Sequence, residues 1–249
     1  SARGIGVDEE KMTVAFEKTG VGQYDFQSSK WSNLGQAVWN RPIYQVDKEH
    51  FWMGSLYDLS LWQNNQFQHY TCSPEDIKRK VSDFACWIIY PSQKNPNHLW
   101  LGTENDCFRF DIATKTYKRF LPPSFETQKL VVQTIVYDKN NKDWLWFCTQ
   151  KGLFLFDEQK EEFITYYNDN QSDEHFLPSE GFHHLYQEGD VYWLATYGNG
   201  LVRWEREKGT FQQFTIKDGL SNDFIHSVYP DDFDNLWMSS NYGIIQMNK

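Results

Sequence analysis

One short cassette limits what this chain can fold into: an aromatic residue or Leu, then Trp, an apolar residue, a small residue, and Ser or Thr. It occurs as FWMGS (51–55), LWLGT (99–103), LWFCT (145–149), YWLAT (192–196) and LWMSS (236–240), which puts Trp at 52, 100, 146, 193 and 237. Intervals of 48, 46, 47 and 44 residues are too regular for composition to produce. A fixed period of this length marks a chain built by stacking one supersecondary unit.

The flanks repeat as well. After each Trp comes a second alternating segment, seen as CFRFD (107–111), LFLFD (153–157), LVRWE (201–205), IIQM (244–247) and the divergent LSLW (59–62). A polar turn leads to a third, FQHY (67–70), YKRF (117–120), FITY (163–166) and FQQF (211–214). Before the cassette lies a further apolar segment, clearest in TIVYD (134–138), HLYQ (184–187) and SVYP (227–230). Four short strands per period, bounded by Gly, Pro, Asn and Asp, predict an all-β chain: a β-propeller of four-stranded antiparallel blades, in which stacking buries faces that one sheet cannot bury alone. The content of 19 Phe, 14 Tyr and 11 Trp agrees with strands and argues against disorder.

About six units are expected over 1–249, as a single propeller domain or a propeller fragment, anchored near Val14, Trp52, Trp100, Trp146, Trp193 and Trp237. Five are clear. The first is atypical: TVAFEKTGVGQYDF (13–26) aligns with 145–158 but has Val14 in place of Trp, with IGVD (5–8) as its inner strand. The last stops at Lys249 after a third strand. Either the N-terminal segment supplies the fourth strand and closes the ring, or the chain is an arc of a longer one. The cassette Trp residues read as blade-to-blade core, each large ring packing into space left by the small residue (Gly54, Gly102, Cys148, Ala195, Ser239) of a neighbouring blade.

With 24 basic and 34 acidic side chains the net charge is −10, which repels phosphate backbones and anionic bilayers and excludes a nucleic-acid partner. No apolar run is long enough to span a bilayer. Cys72, Cys86, Cys107 and Cys148 form no C-x-x-C pair. Cys107 and Cys148 sit in strand-like runs as small buried hydrophobes, and the redox compartment stays open.

The run KDGLSNDFIHSVYPDDFDNLWMSSNYGI (217–244) resembles the two-component regulator propeller repeat: an Asp-Gly-Leu-Ser turn, an apolar inner strand, an Asp-rich hairpin, Leu-Trp-apolar-Gly-Thr and Gly-Leu. The copies at 99–111 and 145–157 match its second half, and the likeness covers about 36–249. Cys148, Ala195 and Ser239 depart from the pattern's Gly, and Asp106 from the Gly before the third strand. No Trp-Asp dipeptide and no Gly-Gly pair occurs, which separates the chain from the Trp-Asp and kelch propellers. The resemblance implies a periplasmic or extracellular sensor for carbohydrate-derived signals, covalently linked to membrane and kinase modules outside these residues. No cofactor is expected. A second copy of the chain is left open as a partner.

In a propeller the first residues of the inner strands ring the channel mouth. Aligning the units on Ile88, Ile135, Leu185 and Val228 makes Cys86, Gln133, His183 and His226 equivalent. The two histidines are either an ordinary polar rim, direct ligand contacts, or metal ligands that lack a third partner. Trp39, Asn40, Arg41 and Trp87 stand at two other entrances. Aromatic planes beside Arg suit sugars or carboxylates, though both Trp could equally plug the channel. On the same face the second-to-third loops offer Asn105, Lys151, Tyr197, Asn199, Asn241 and Tyr242, along with Tyr57 and Asp58. Two long connections stand out: SPEDIKRKV (73–81), with helix-start signals, and the acidic 168–181. DKNNKD (138–143) lacks the Gly and terminal Glu of a calcium loop and reads as a hairpin turn. No catalytic signature occurs, so a non-catalytic ligand-binding propeller is expected. The alternatives are a lyase- or glycosidase-type propeller using His183, His226 and Glu180, and a protein-interaction scaffold.

Overall fold

The structure is a computed structural model and describes residues 2–16, 20–35, 42–72, 84–122, 125 and 129–249. The chain divides into two compact units, Ser1–Lys129 and Leu130–Lys249.

The first unit holds three antiparallel four-stranded sheets. The first blade is β1 (Ala2–Val7), β2 (Lys11–Phe16), β3 (Gly20–Asp25) and β4 (Lys30–Gly35). The second is β5 (Ile43–Gln45), β6 (Phe51–Gly54), β7 (Asp58–Gln63) and β8 (Gln66–Thr71). The third is β9 (Cys86–Pro91), β10 (His98–Thr103), β11 (Cys107–Asp111) and β12 (Thr116–Phe120). The second unit continues with β13 (Val132–Tyr137), β14 (Trp144–Thr149), β15 (Gly152–Asp157) and β16 (Glu162–Tyr167). The fifth blade is β17 (Phe182–Glu188), β18 (Val191–Thr196), β19 (Leu201–Glu205) and β20 (Thr210–Phe214). The sixth has three strands among the described residues, β21 (Ile225–Pro230), β22 (Asn235–Ser240) and β23 (Gly243–Asn248). Within each unit successive inner strands touch: β1 with β5, β5 with β9, β13 with β17 and β17 with β21. The N-terminal segment is the inner strand of its own blade, β1 pairing β2, and is not a fourth strand for the last sheet.

Every anchor residue lies on the second strand of its sheet. Trp52, Trp100, Trp146 and Trp193 are buried, and Trp52, Trp146 and Trp193 pack in clusters shared with the next sheet of their unit. Trp146 packs edge-on against Tyr192 and Trp204 of the next blade, with centroids at 5.5 and 5.9 Å. The small residue two positions on does something other than expected. A Cβ on Gly54 would lie 2.7 Å from Cβ and Sγ of Cys86, so the space is filled by the first residue of the next inner strand and not by an indole.

The remaining repeated residues hold turns. Thr103, Thr149, Thr196 and Ser240 each donate the side-chain hydroxyl to the carbonyl three or four residues on, at 2.8, 2.8, 2.6 and 3.1 Å, closing the second-to-third hairpin. Asp8, Asp47, Asp138 and Asp231 each accept two backbone N–H groups in the first-to-second hairpin. Asp138 therefore caps its turn, as the hairpin reading of 138–143 expects, and its second oxygen accepts from Trp146 Nε1 and Tyr192 Oη at 2.8 and 2.7 Å. Asp231 holds Trp237 Nε1 in the same way. The fifth blade turns tightly through Gly189 (φ 58), has no such Asp, and leaves Trp193 Nε1 without a hydrogen-bond partner among the described residues.

All four cysteines are buried, and burial pushes the Cys107 and Cys148 thiols far above their usual range. The 73–81 segment lies outside the described residues. The acidic 168–181 connection folds back on itself: Asn168 bridges Phe176, and Leu177 is buried in the core beside Tyr167. Among the described residues no helix is long and apolar enough to cross a membrane.

Candidate functional site

Five of the six inner strands share a defect in their ladders, β5 being the exception among the described residues. In β1 the pairing skips from Ala2↔Phe16 to Gly4↔Ala15; in β9 from Cys86↔Thr103 to Ile88↔Gly102. In β13, β17 and β21 it skips from Val132 to Thr134, Phe182 to His184 and Ile225 to Ser227. Each is a bulge at which the register skips one residue: Arg3, Trp87, Gln133, His183 and His226. A bulge bends the strand and re-aims one side chain out of the alternation, which is why bulges recur beside binding sites. This corrects the sequence alignment. Ile89, not Ile88, faces Leu101 as Ile135 faces Phe147, so Trp87 and not Cys86 is the counterpart of Gln133, His183 and His226. Cys86 is buried against Gly54.

In the second unit the bulges converge with the hairpin turns. The His183 ring lies 5.0 Å from that of His226, edge to face, and 5.3 Å from Tyr197. Tyr197 is 52% exposed and packs edge-on against Phe224 at 5.2 Å. His226 Nε2 donates to Asn241 Oδ1 at 2.8 Å, which fixes its tautomer. His183 Nε2 is buried with no hydrogen-bond partner among the described residues. Burial, then the neighbouring His226, lowers the His183 pKa to about 4, so the ring is neutral at pH 7. Next to it His184 accepts the Val228 N–H at 3.4 Å across the seam, and burial lowers its pKa to about 4 as well. Lys151 pairs with Glu180 at the approach to β17, and Tyr166 Oη donates to the Lys151 carbonyl at 2.7 Å. Asn199 is held in its turn, its backbone N–H on Thr196 Oγ1 at 3.1 Å and its carbonyl accepting from Gln213 at 2.8 Å. Tyr242, 78% exposed, flanks Asn241.

The other sequence candidates divide. Gln133 is a half-buried bulge residue of β13. In the first unit Trp87 is half-buried on β9, while Asn105 is 2% exposed inside its hairpin and has no open surface to offer. Trp39 and Arg41 lie outside the described residues. Phe224 was not singled out by sequence. Its signal was an aromatic immediately before an inner strand, and a Cβ on Gly198 (φ +88) would approach its ring to 3.2 Å. Among the described residues no three His, Cys, Asp or Glu side chains are placed to share a metal ion. The second-unit cluster offers the neutral His183 imidazole, the His226 ring, a carboxamide and exposed phenol faces. Such groups exchange hydrogen bonds with hydroxyls and pack against C–H surface.

The sheet order and registers are those of propeller blades, and the comparisons agree. Residues 219–242 match the Two component regulator propeller family, so the resemblance drawn from 217–244 holds at that repeat. A curated relative, Histidine kinase P4 of Formosa agariphila, is 22% identical over 93% of this chain, which spans 18% of the kinase. The extracellular domain of a putative one component system from B. thetaiotaomicron superposes with a TM-score of 0.76 at 15% identity, over 98% of this chain and 32% of that one. The extracellular domain of a putative hybrid two component system from B. thetaiotaomicron does so with a TM-score of 0.73 at 19% identity, over 98% and 33%. The fold is a β-propeller fold. The chain carries a two-component regulator propeller repeat and spans a fifth to a third of the relatives' length.

Proposed function

We propose that this chain is a non-catalytic ligand-sensing propeller from a two-component signalling protein, working outside the cytoplasm. Its ligand is a neutral polyhydroxylated molecule of the oligosaccharide class. The observation that carries the reading is the repeated bulge: the scaffold around it is nearly invariant from blade to blade, whereas the residue it presents changes from Trp87 to Gln133, His183 and His226. A fold that repeats everything except the re-aimed residue is suited to recognising something irregular. The neutral His183 ring and the exposed Tyr197 and Tyr242 favour hydroxyl-rich surface over a charged partner. The relatives' printed descriptions, a histidine kinase and two extracellular domains, support the signalling role and the location.

The test is a panel of oligosaccharides screened by melting temperature, with product analysis of each hit. A sensor is stabilised by at least one member, by RT ln(1 + [L]/Kd), and leaves it intact. Turnover that disappears in His183→Ala would establish an enzyme instead.

A further inference from the structure

Two seams between neighbouring blades are built alike and filled differently. In the first unit Trp52 packs on Tyr70 and Phe110, both at 5.6 Å; in the second Trp146 packs on Tyr167 and Trp204, both at 5.9 Å. The ladders make the two sets equivalent. Trp52 faces Leu61 as Trp146 faces Leu155, and Tyr70 faces Leu59 as Tyr167 faces Leu153. Phe110 faces Leu99 as Trp204 faces Tyr192.

The residue following the third strand reaches back over this seam. In the fifth blade it is Arg206, whose guanidinium lies 5.2 and 5.3 Å over Trp144 and Trp146 while Nε donates to Tyr167 Oη at 3.2 Å. In the sixth it is Lys249, whose Nζ donates to Glu188 Oε1 at 2.6 Å in a groove shared with Trp193. The third blade has Ile112 there, and Leu99 where the fifth has Tyr192. The slot there has about 460 Å³, against about 440 Å³ in the Lys249 groove and about 220 Å³ beside Arg206. Tyr44, Trp52, Leu61, Leu99 and Ile112 line it, with Asp47 at the rim. Asp47 is kept ionised by the Glu49 N–H and by His50, whose Nδ1 lies 2.8 Å from both its oxygens.

We propose that the slot between the second and third blades is a binding site for a guanidinium group on a short apolar stem, an arginine side chain or an alkylguanidine. The stem lies on Ile112 and Leu61, the planar cation covers the strip of Trp52 that lines the slot, and Asp47 supplies the counter-charge. The same chain sets Arg206 and Lys249 in two sister slots, whereas this one has Ile112 at that position and holds Asp47 with His50 in place of a lysine or arginine.

The probe is n-propylguanidinium, with neutral n-propylurea as its isostere, titrated into the full chain and followed by indole 1H–15N resonances. Saturable propylguanidinium binding is expected, about tenfold or more tighter than propylurea, weakened by salt and by Asp47→Asn. Ile112→Arg should fill the slot from within, abolish binding and raise the melting temperature by a few degrees, and Ile112→Lys gives the same answer if the arginine variant folds poorly. The proposal is overturned if propylurea binds equally well, if binding survives Ile112→Arg or Ile112→Lys, or if nothing saturates by about 50 mM. It does not depend on the sensor role of the bulge residues, and either can fail alone.

Discussion

At the residue scale the repeat separates into side chains that hold the blade and side chains that do not. Trp146 is enclosed on all sides and its N–H is held by Asp138, so Trp146→Ala should cost about 3–5 kcal/mol in urea denaturation. Trp237 stands at the same cassette position but is 41% exposed, and Trp237→Ala should cost markedly less. Gly54→Ala forces a methyl against Cys86 at 2.7 Å, and about 1–3 kcal/mol of destabilisation is expected from the same measurement. The cassette marks Trp52, Trp100, Trp146 and Trp193 correctly as core, and Trp237 departs from that expectation. The cassette did not disclose what the small residue accommodates, because that depends on which residue the next strand begins with.

At the scale of the element, the inner strand decides the site. Its β-bulge was invisible in the sequence for a physical reason: one extra residue shifts the phase of alternation, and the adjacent Ile88 and Ile89 offer an apolar residue in either phase. Pairing with Leu101 resolves the choice in favour of Ile89 and brings Trp87 into the row. His183, His226 and Tyr197 were legible because strand starts and hairpin turns are marked by Gly and Asp. Asn105 was misjudged because a turn residue can point inward. The strand β17 also has a pH signature. His183 and His184 titrate near 6.5 when unfolded and at about 4 when folded, so the unfolded state binds more protons between these values. Stability should be full above pH 6.5 and decline as pH falls from 6.5 toward 4. His184→Gln, which still offers the Val228 N–H an acceptor, should flatten that part of the melting-temperature profile.

At the scale of the whole molecule, the period near 46 residues was enough to predict six sheets and their strand order, since each blade repeats the same hydrophobic alternation and the same capping hydroxyls and carboxylates. Function was less legible, because the proposed site lies in what breaks the repeat. The sensor account rests on the bulge residues meeting a ligand, and imidazole 15N resonances read that meeting directly. Titrating a stabilising oligosaccharide into the chain should move the ring nitrogens of His183 and His226 together and saturate with the melting-temperature shift, while His69 and His98 stay in place. If the ligand stabilises the chain and those two rings do not move, the bulge row is not the sensing site.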